Sequence, residues 1–277
     1  MKEKRLQGIG WVVLLALVGN CSGKKDPVSE PPTATKAARP ESSSKPDAPA
    51  TPVEWKLRVF SDAVGYGILQ PADVAAALSS FGVSVGKLRS RPVGVALFMG
   101  ADDRMDAAFW DDRENTWAGR PKCIEDQGRC WHVREDFTPA GKLEEKNLTG
   151  DGSQLVVMLQ HPRMAPFMEG HPKLASLGIG ELRLQVQNGR ITLEMLAAKG
   201  GNFRNATDAA HYWWMLAVNE RAHFLQADPS GQRFFEALPK AKLEVKKNTI
   251  LFSMEGDCAM VAWSLRAMHQ LYPFLRP

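Results

Sequence analysis

The chain has 277 residues, of which 44% are hydrophobic and 24% charged, and its formal net charge is +4. Residues 53–277 are enough for one large domain or two small domains with a hydrophobic core. Lys and Arg are scattered among Asp and Glu rather than massed in one block, which excludes the charge pattern of a nucleic-acid-binding protein.

Residues 1–20 have the parts of an export signal. Three basic residues stand within the first five positions, residues 9–18 are apolar, and Cys21 closes the segment. A transmembrane helix needs about 20 apolar residues to cross a hydrocarbon layer of ~30 Å. The segment therefore predicts a cleaved signal peptide rather than a permanent transmembrane anchor.

Residues 17–21, LVGNC, resemble the lipobox of bacterial lipoproteins. In that family the cysteine thiol takes a diacylglyceryl group, the chain is cut before the cysteine, and the new amine receives an acyl chain such as palmitate. The family usually has Gly, Ala or Ser where this chain has Asn20, and the alternative is a secreted protein without a lipid. The resemblance implies lipidation of Cys21 and a place in the cell envelope, facing the periplasm. Ser22, rather than Asp, implies the outer membrane over the inner membrane.

Residues 21–52 predict a lipidated start followed by a disordered linker. From residue 24 onward the segment is rich in Pro, Ala, Ser, Thr and charge, and it has no aromatic residue. Such a composition buries too little apolar surface to offset the entropy of ordering the chain. With this many prolines the linker is expected to extend up to ~3 Å per residue. Residues 53–277 then form the globular body.

The first half of the body predicts a strand, a helix and a second strand. Residues 55–60 alternate between apolar and polar, and Pro71 fits the first turn of a helix over residues 72–81. Residues 93–99 are continuously apolar, which is typical of a strand buried on both faces. Residues 102–136 are rich in aspartate and predict an excursion that carries a short helix and a small hairpin.

Two cysteines in this excursion, Cys123 and Cys130, flank a Gln-Gly turn and predict a disulfide in an oxidising envelope. The alternative is a metal site formed with His132, although no Cys-x-x-Cys pair is present. Cys258, near the C-terminus, is most simply a buried thiol.

Three tryptophans of the excursion are candidate contacts for a ligand or partner, because aromatic residues dominate binding hot spots. They are Trp110, Trp117 and Trp131. The alternative is burial in the core. The aspartates of the excursion match no calcium-binding loop, so a solvated acidic face is favoured over a calcium site.

Residues 161–171 contain two histidines and two methionines that would suit Cu(I). These candidate ligands are His161, Met164, Met168 and His171. They could share one helical face, but Pro162 and Pro166 interrupt a helix beyond its first turn. Methionine also fills irregular core gaps, so packing is the favoured alternative and no resident cofactor is predicted.

The last hundred residues predict two hairpin–helix units. Residues 182–195 alternate around an Asn-Gly pair, a strong signal for a hairpin with a type I′ turn. Residues 207–226 carry an apolar stripe at helical spacing. A second hairpin over residues 242–254 precedes a helix capped by Asp257.

This order, with Thr-Asp-Ala-Ala at residues 207–210, resembles a loosely defined group of bacterial envelope proteins of unknown function that are regarded as non-enzymatic. The resemblance implies an α+β fold: an antiparallel sheet built from β-hairpins, with helices packed on one face. The two hairpin–helix units are candidates for related halves.

Residues 82–86, GVSVG, match the Gly-x-Ser-x-Gly pattern, but they follow a predicted helix rather than a strand and so lack the context of a nucleophile elbow. No His-Glu-x-x-His motif or phosphate loop is present in the sequence. We therefore expect a non-catalytic, membrane-anchored lipoprotein that binds or scaffolds an envelope protein or a small ligand. It would meet the lipid bilayer through its acylated N-terminus. One alternative is an envelope hydrolase without a recognisable motif, since six histidines and many acids could converge in space. The other alternative is a copper-binding protein.

Overall fold

A computed structural model of the protein describes residues 54–80, 91–100, 105–115, 117, 119–170, 178–199 and 229–264. The predicted signal peptide, linker and helix over residues 207–226 lie outside this part of the chain. So does His171.

Strands dominate the described residues. In chain order the elements are β1 (Glu54–Phe60), β2 (Gly65–Leu69), α1 (Pro71–Ser80), β3 (Val93–Met99), β4 (Met105–Asp111), β5 (Lys122–Asp126), β6 (Arg129–Val133), β7 (Leu143–Thr149), β8 (Ser153–Met158), α2 (Ala165–Gly170), β9 (Ile179–Gln187), β10 (Arg190–Ala197), α3 (Pro229–Ala237), β11 (Lys242–Val245), β12 (Thr249–Glu255) and α4 (258–264). Short 3-10 segments, Pro162–Met164 and Leu238–Lys240, precede α2 and follow α3.

Ten of these strands form one antiparallel sheet in the order β11-β12-β10-β9-β8-β2-β3-β4-β6-β5. The other two, β1 and β7, pair with each other over seven residues and form a separate antiparallel ribbon. We call this pair the β1–β7 ribbon. The protein therefore has a sheet-dominated α+β fold. No helix in the described part of the chain is both long and apolar enough to cross a bilayer.

The sheet has a hydrophobic cluster on each face. On one face the ribbon packs through Leu57 and Val59 against β3 and β6. On the other face α2 and α4 pack through Phe167 and Met260 against the central strands. Layers on both faces allow a central strand such as β3 to bury side chains on both of its sides.

Strand β3 shows how the sequence produces this arrangement. All seven of its residues are buried, as the apolar run predicts. Val95 and Leu97 belong to the cluster on the helix side, whereas Ala96 and Phe98 belong to the cluster on the ribbon side. Alternate strand residues point to opposite faces, so a continuous apolar run satisfies both layers.

Residues 105–133 contain the predicted small hairpin, which is β5–β6, but not the predicted short helix. Instead of a short helix, residues 105–111 form strand β4, and β6 and β5 continue the sheet beyond it. The acidic composition of this segment predicts a solvated face rather than buried strands. The strands form because Ala107 and Ala108 are small enough to bury on opposite faces, while nearby acids pair with arginines.

Short sequence signals correctly predict several boundaries of helices and strands. Helix α1 begins at Pro71, and strands β9 and β10 pair through a turn in which Asn188 and Gly189 both have positive φ. The Met260 amide donates to Asp257 Oδ1 at 3.1 Å, so Asp257 caps α4 as predicted.

Candidate functional site

The end of the sheet formed by β4, β6 and β5 brings aromatic rings and arginines together. Trp110 faces Trp131 across the β4–β6 pair, and Phe109 faces His132. The first pair lies on the ribbon side of the sheet and the second on the helix side, because neighbouring strand residues alternate. We define the aromatic edge as the set Phe109, Trp110, Trp117, Arg120 and Arg129.

On the ribbon side, Arg129 holds Trp110 in place. The guanidinium carbon of Arg129 lies 3.9 Å from the centre of the Trp110 ring. Its Nη2 donates to the carbonyl oxygen of Pro92 at 2.9 Å and approaches Asp111 Oδ1 at 3.5 Å. Burial lowers the pKa of Arg129, and Asp111 and Asp112 oppose that shift. An arginine guanidinium remains charged in proteins, so these contacts hold the partly buried Trp110 ring in one position.

On the helix side, Trp117 is fixed by stacking and by a hydrogen bond. Its ring lies parallel to Phe109, with centroids 4.1 Å apart. Its Nε1 donates to Asp111 Oδ2 at 3.1 Å. Arg120 lies 5.1 Å from the centre of the Phe109 ring and donates to the Ala107 carbonyl oxygen at 2.6 Å.

Asp111 links the two sides of the aromatic edge. It is only 3% exposed, and its Oδ1 accepts from the Asp112 amide at 2.7 Å. Its Oδ2 accepts from Asn115 at 2.8 Å, in addition to Trp117. A buried carboxylate with this many donors is well satisfied and holds its neighbours in one geometry.

Trp131 is placed differently from the other two tryptophans. It is fully buried in the ribbon-side cluster and meets the Phe60 ring edge-on at 5.7 Å. Trp131 thus packs the core, whereas Trp110 and Trp117 keep part of their surface in solvent.

The structure joins Cys123 to Cys130 across the β5–β6 pair, with Cα atoms 5.3 Å apart, which is consistent with the predicted disulfide. His132 is buried, and its Nε2–H donates to the Asp112 carbonyl oxygen at 3.2 Å. Burial lowers the pKa of His132. Because Cys123 and Cys130 are bonded to each other, neither provides a thiolate for the alternative metal site with His132.

The candidate copper ligands are separated by the fold as far as it is described. Met164 and Met168 are buried in the helix-side cluster. His161 lies at the surface, where its Nε2–H donates to the Ser61 carbonyl oxygen at 3.2 Å and its Nδ1 accepts from the Arg163 amide. Within the described residues, no group of three or more His, Cys, Asp or Glu side chains could hold a metal ion. This placement favours packing for both methionines.

A second polar cluster lies where α1 meets β8 and α4. The Ser153 hydroxyl donates to Asp73 Oδ2 at 2.5 Å, and Ser153 Oγ accepts from the Gln70 amide at 2.8 Å. Burial, reinforced by Asp73, raises the pKa of the nearby Cys258 thiol. The cysteine therefore stays protonated and is a poor nucleophile.

The cavity beside this cluster has a volume of about 190 Å³ and is lined by Gln70, Asp73, Asp151, Gly152, residues 186–189, Gly256 and Asp257. Among the described residues, its lining holds no histidine. The two histidines in the described part of the chain, His132 and His161, each bind a backbone carbonyl elsewhere. Neither of these two is therefore placed to act as a general base for Ser153.

In comparisons with known proteins, no protein-family model, no characterised protein and no solved structure matches the chain. The geometry of the molecule and the N-terminal sequence are therefore the observations that bear on function.

Sequence reasoning identified the tryptophans of the aromatic edge but missed Arg120 and Arg129. Their contacts with Phe109, Trp110 and Asp111 cross between strands, so no local spacing marks them. A weak signal was present in the composition, since Trp and Arg are both enriched in hot spots.

Proposed function

We propose that the protein is a membrane-anchored, non-catalytic lipoprotein of the bacterial cell envelope that binds or scaffolds another envelope protein. The lipobox-like residues 17–21 support the anchor, and the composition of residues 24–52 supports a flexible tether. The observation that carries the binding role is the aromatic edge, where Trp110 and Trp117 are partly buried, keep some surface in solvent and are held by neighbouring side chains.

Rigid aromatic groups make effective contacts because little side-chain entropy is lost when a partner binds. Trp110 is held by Arg129, and Trp117 is held by Phe109 and Asp111. The adjacent Arg113 is exposed and pairs with Glu125 on β5 at 2.7 Å. A partner protein would therefore meet ordered tryptophans with exposed charges at the rim, the usual anatomy of a protein interface.

We also propose that the body, residues 53–277, is one unit built from hairpins, and that β9–β10 and β11–β12 begin two related halves of its last hundred residues. Support comes from the matching order of hairpin and helical segment after residue 179. An experimental structure that places residues 207–226 and 265–275 differently against their hairpins would contradict this arrangement.

Replacing Cys21 with serine is expected to release the protein from the membrane fraction of bacterial cells into the soluble envelope fraction. The acyl chains anchor because each buried CH₂ contributes ~0.8 kcal/mol, and serine cannot carry the thioether-linked lipid. Cys258→Ser serves as the matched control and should leave the distribution unchanged. An equal share of wild type and Cys21→Ser in the membrane pellet would contradict the anchor.

A photoreactive residue introduced at Arg113, beside the aromatic edge, is expected to cross-link the full chain to a protein partner in envelope preparations. Trp117→Ala in the same chain should reduce that adduct by about tenfold, because a hot-spot tryptophan contributes at least this much to affinity. The control position is Lys56, which is exposed on the ribbon. Adducts of equal yield at both positions, insensitive to Trp117→Ala, would contradict a binding role for the aromatic edge.

A further inference from the structure

Lysines gather at the sheet end opposite the aromatic edge. Strand β11 is the last strand of the described sheet at that end, and β5 is the last at the other. Nine spacings of about 4.8 Å put the two ends roughly 40 Å apart. Residues 238–248, which contain β11 and its turn, hold four lysines and one glutamate. This segment therefore has a net positive charge of +3, whereas basic residues elsewhere in the sequence are interspersed with acidic ones.

All four lysines of this segment are exposed, and a fifth, Lys199, is brought to the same corner by the fold. The Ala197 amide donates to the Asn248 carbonyl oxygen at 2.9 Å, so the end of β10 adjoins the tip of the β11–β12 hairpin. We define the lysine edge as Lys199, Lys240, Lys242, Lys246 and Lys247. Within the described residues only Lys246 of this set forms an ion pair, a loose one to Glu244 at 3.7 Å.

We propose that the lysine edge binds the anionic head groups of the bilayer in which the lipid anchor sits. This inference rests on the proposed function, because the anchor is what keeps the edge close to that bilayer. Exposed lysines next to an anionic membrane surface each strengthen binding by roughly fivefold, and several act together. Strand β11 is short and the lysines in and beside it are exposed, so they can contact head groups on a flat membrane surface directly.

The tether allows this orientation. About 30 residues separate Cys21 from β1, which corresponds to roughly 30 Å on average and up to about 100 Å when extended. The body can therefore turn its lysine edge toward the head groups while Cys21 remains in the membrane. A membrane is favoured over nucleic acid because the signal-like N-terminus directs the chain out of the cytoplasm. With the lysine edge on the bilayer, the aromatic edge points away from it toward a partner.

The test measures sedimentation with lipid vesicles of the chain from residue 21 onward with Cys21→Ser, which keeps every described residue and carries no lipid. One set of vesicles is an equal mixture of phosphatidylglycerol and phosphatidylethanolamine, and the other is phosphatidylcholine alone. We expect binding to the anionic vesicles only, weakening as salt is raised past about 100 mM because the charges are exposed.

The decisive variant replaces Lys240, Lys242, Lys246 and Lys247 with glutamine. It should bind anionic vesicles at least tenfold more weakly than the parent chain. The matched control removes four exposed cations elsewhere, Lys56, Arg91, Arg113 and Lys142. It changes the net charge equally and should lose less than threefold. Thermal unfolding checks that both variants keep the fold, as substitutions of exposed side chains should.

Equal losses in the two variants would overturn the proposal, because net charge alone would then explain binding. Equal binding to neutral vesicles would overturn it as well. Tighter binding to DNA than to anionic vesicles would show that the partner is another polyanion. No binding at all would leave the lysines with the simpler role of keeping an end strand from pairing with other chains. The vesicle assay uses unlipidated protein, so its outcome does not depend on the anchor. Washing the membrane pellet of the Cys21→Ser cells at high salt removes binding through the lysine edge, so that the localisation experiment reports on the anchor alone.

Discussion

Trp131→Ala is expected to lower the free energy of unfolding by about 3–5 kcal/mol, the usual cost of truncating a fully buried aromatic side chain. Trp131 has no exposed surface and packs on Phe60 in the cluster that joins the β1–β7 ribbon to the sheet. Removing the indole leaves a cavity between these two layers. Denaturation with urea, followed by circular dichroism, measures the change.

Two further variants separate packing from ligand contact. Trp131→Phe should lose less than about 2 kcal/mol, because most of the apolar volume is kept and the indole N–H makes no hydrogen bond within the described residues. Trp110→Ala, at a partly buried position, should cost less stability than Trp131→Ala. If Trp131→Ala unfolded at the same urea concentration as wild type, Trp131 would not be a core residue and its role as a contact would stand again.

The double variant Cys123→Ser/Cys130→Ser is expected to lose about 2–3 kcal/mol of stability, as the loop-entropy model gives for so short a closure. The bond joins β5 to β6 at the end of the sheet, where β5 has a single neighbouring strand. Strand β5 pairs with β6, and its Asp126 also forms an ion pair at 2.6 Å with Arg58 of the ribbon.

Dithiothreitol provides the matched measurement. Reduction should lower the unfolding midpoint of wild type to that of the double variant and leave the variant unchanged. Cys258→Ser should remain sensitive to reduction, because that thiol is outside the bond. A wild-type midpoint that does not respond to complete reduction would show that the bond adds nothing to stability.

Local patterns in the sequence predicted the elements whose signals lie within a few residues. Strand β3, the start of α1 at Pro71 and the Asp257 cap each depend on periodicity or on one residue's chemistry. Strand β7 has no such pattern, since most of its side chains are polar and exposed. It forms because its backbone pairs with β1, from Glu54 opposite Thr149 to Phe60 opposite Leu143, and that partner is far away in sequence.

The candidate site was predicted in part for the same reason. Three tryptophans in one stretch marked the right end of the sheet, but their residue type does not reveal which of them is buried. Trp131 and Trp110 stand opposite each other on β6 and β4, yet one packs the core and the other meets solvent. Strand order and the layer above each strand decide this difference, and both depend on contacts between distant residues.

The β1–β7 ribbon has a mechanical consequence. Strand β1 is the first described element of the chain, so a pull applied at the N-terminus would reach the described residues through Glu54. Strand β1 forms backbone pairs with β7 and packs on the sheet through its own side chains Leu57 and Val59. It has no backbone pairing with the ten-stranded sheet. Under such a force the β1–β7 ribbon should separate from the ten-stranded sheet before the strands of the sheet separate from one another. The aromatic edge would then keep its structure while the ribbon extends.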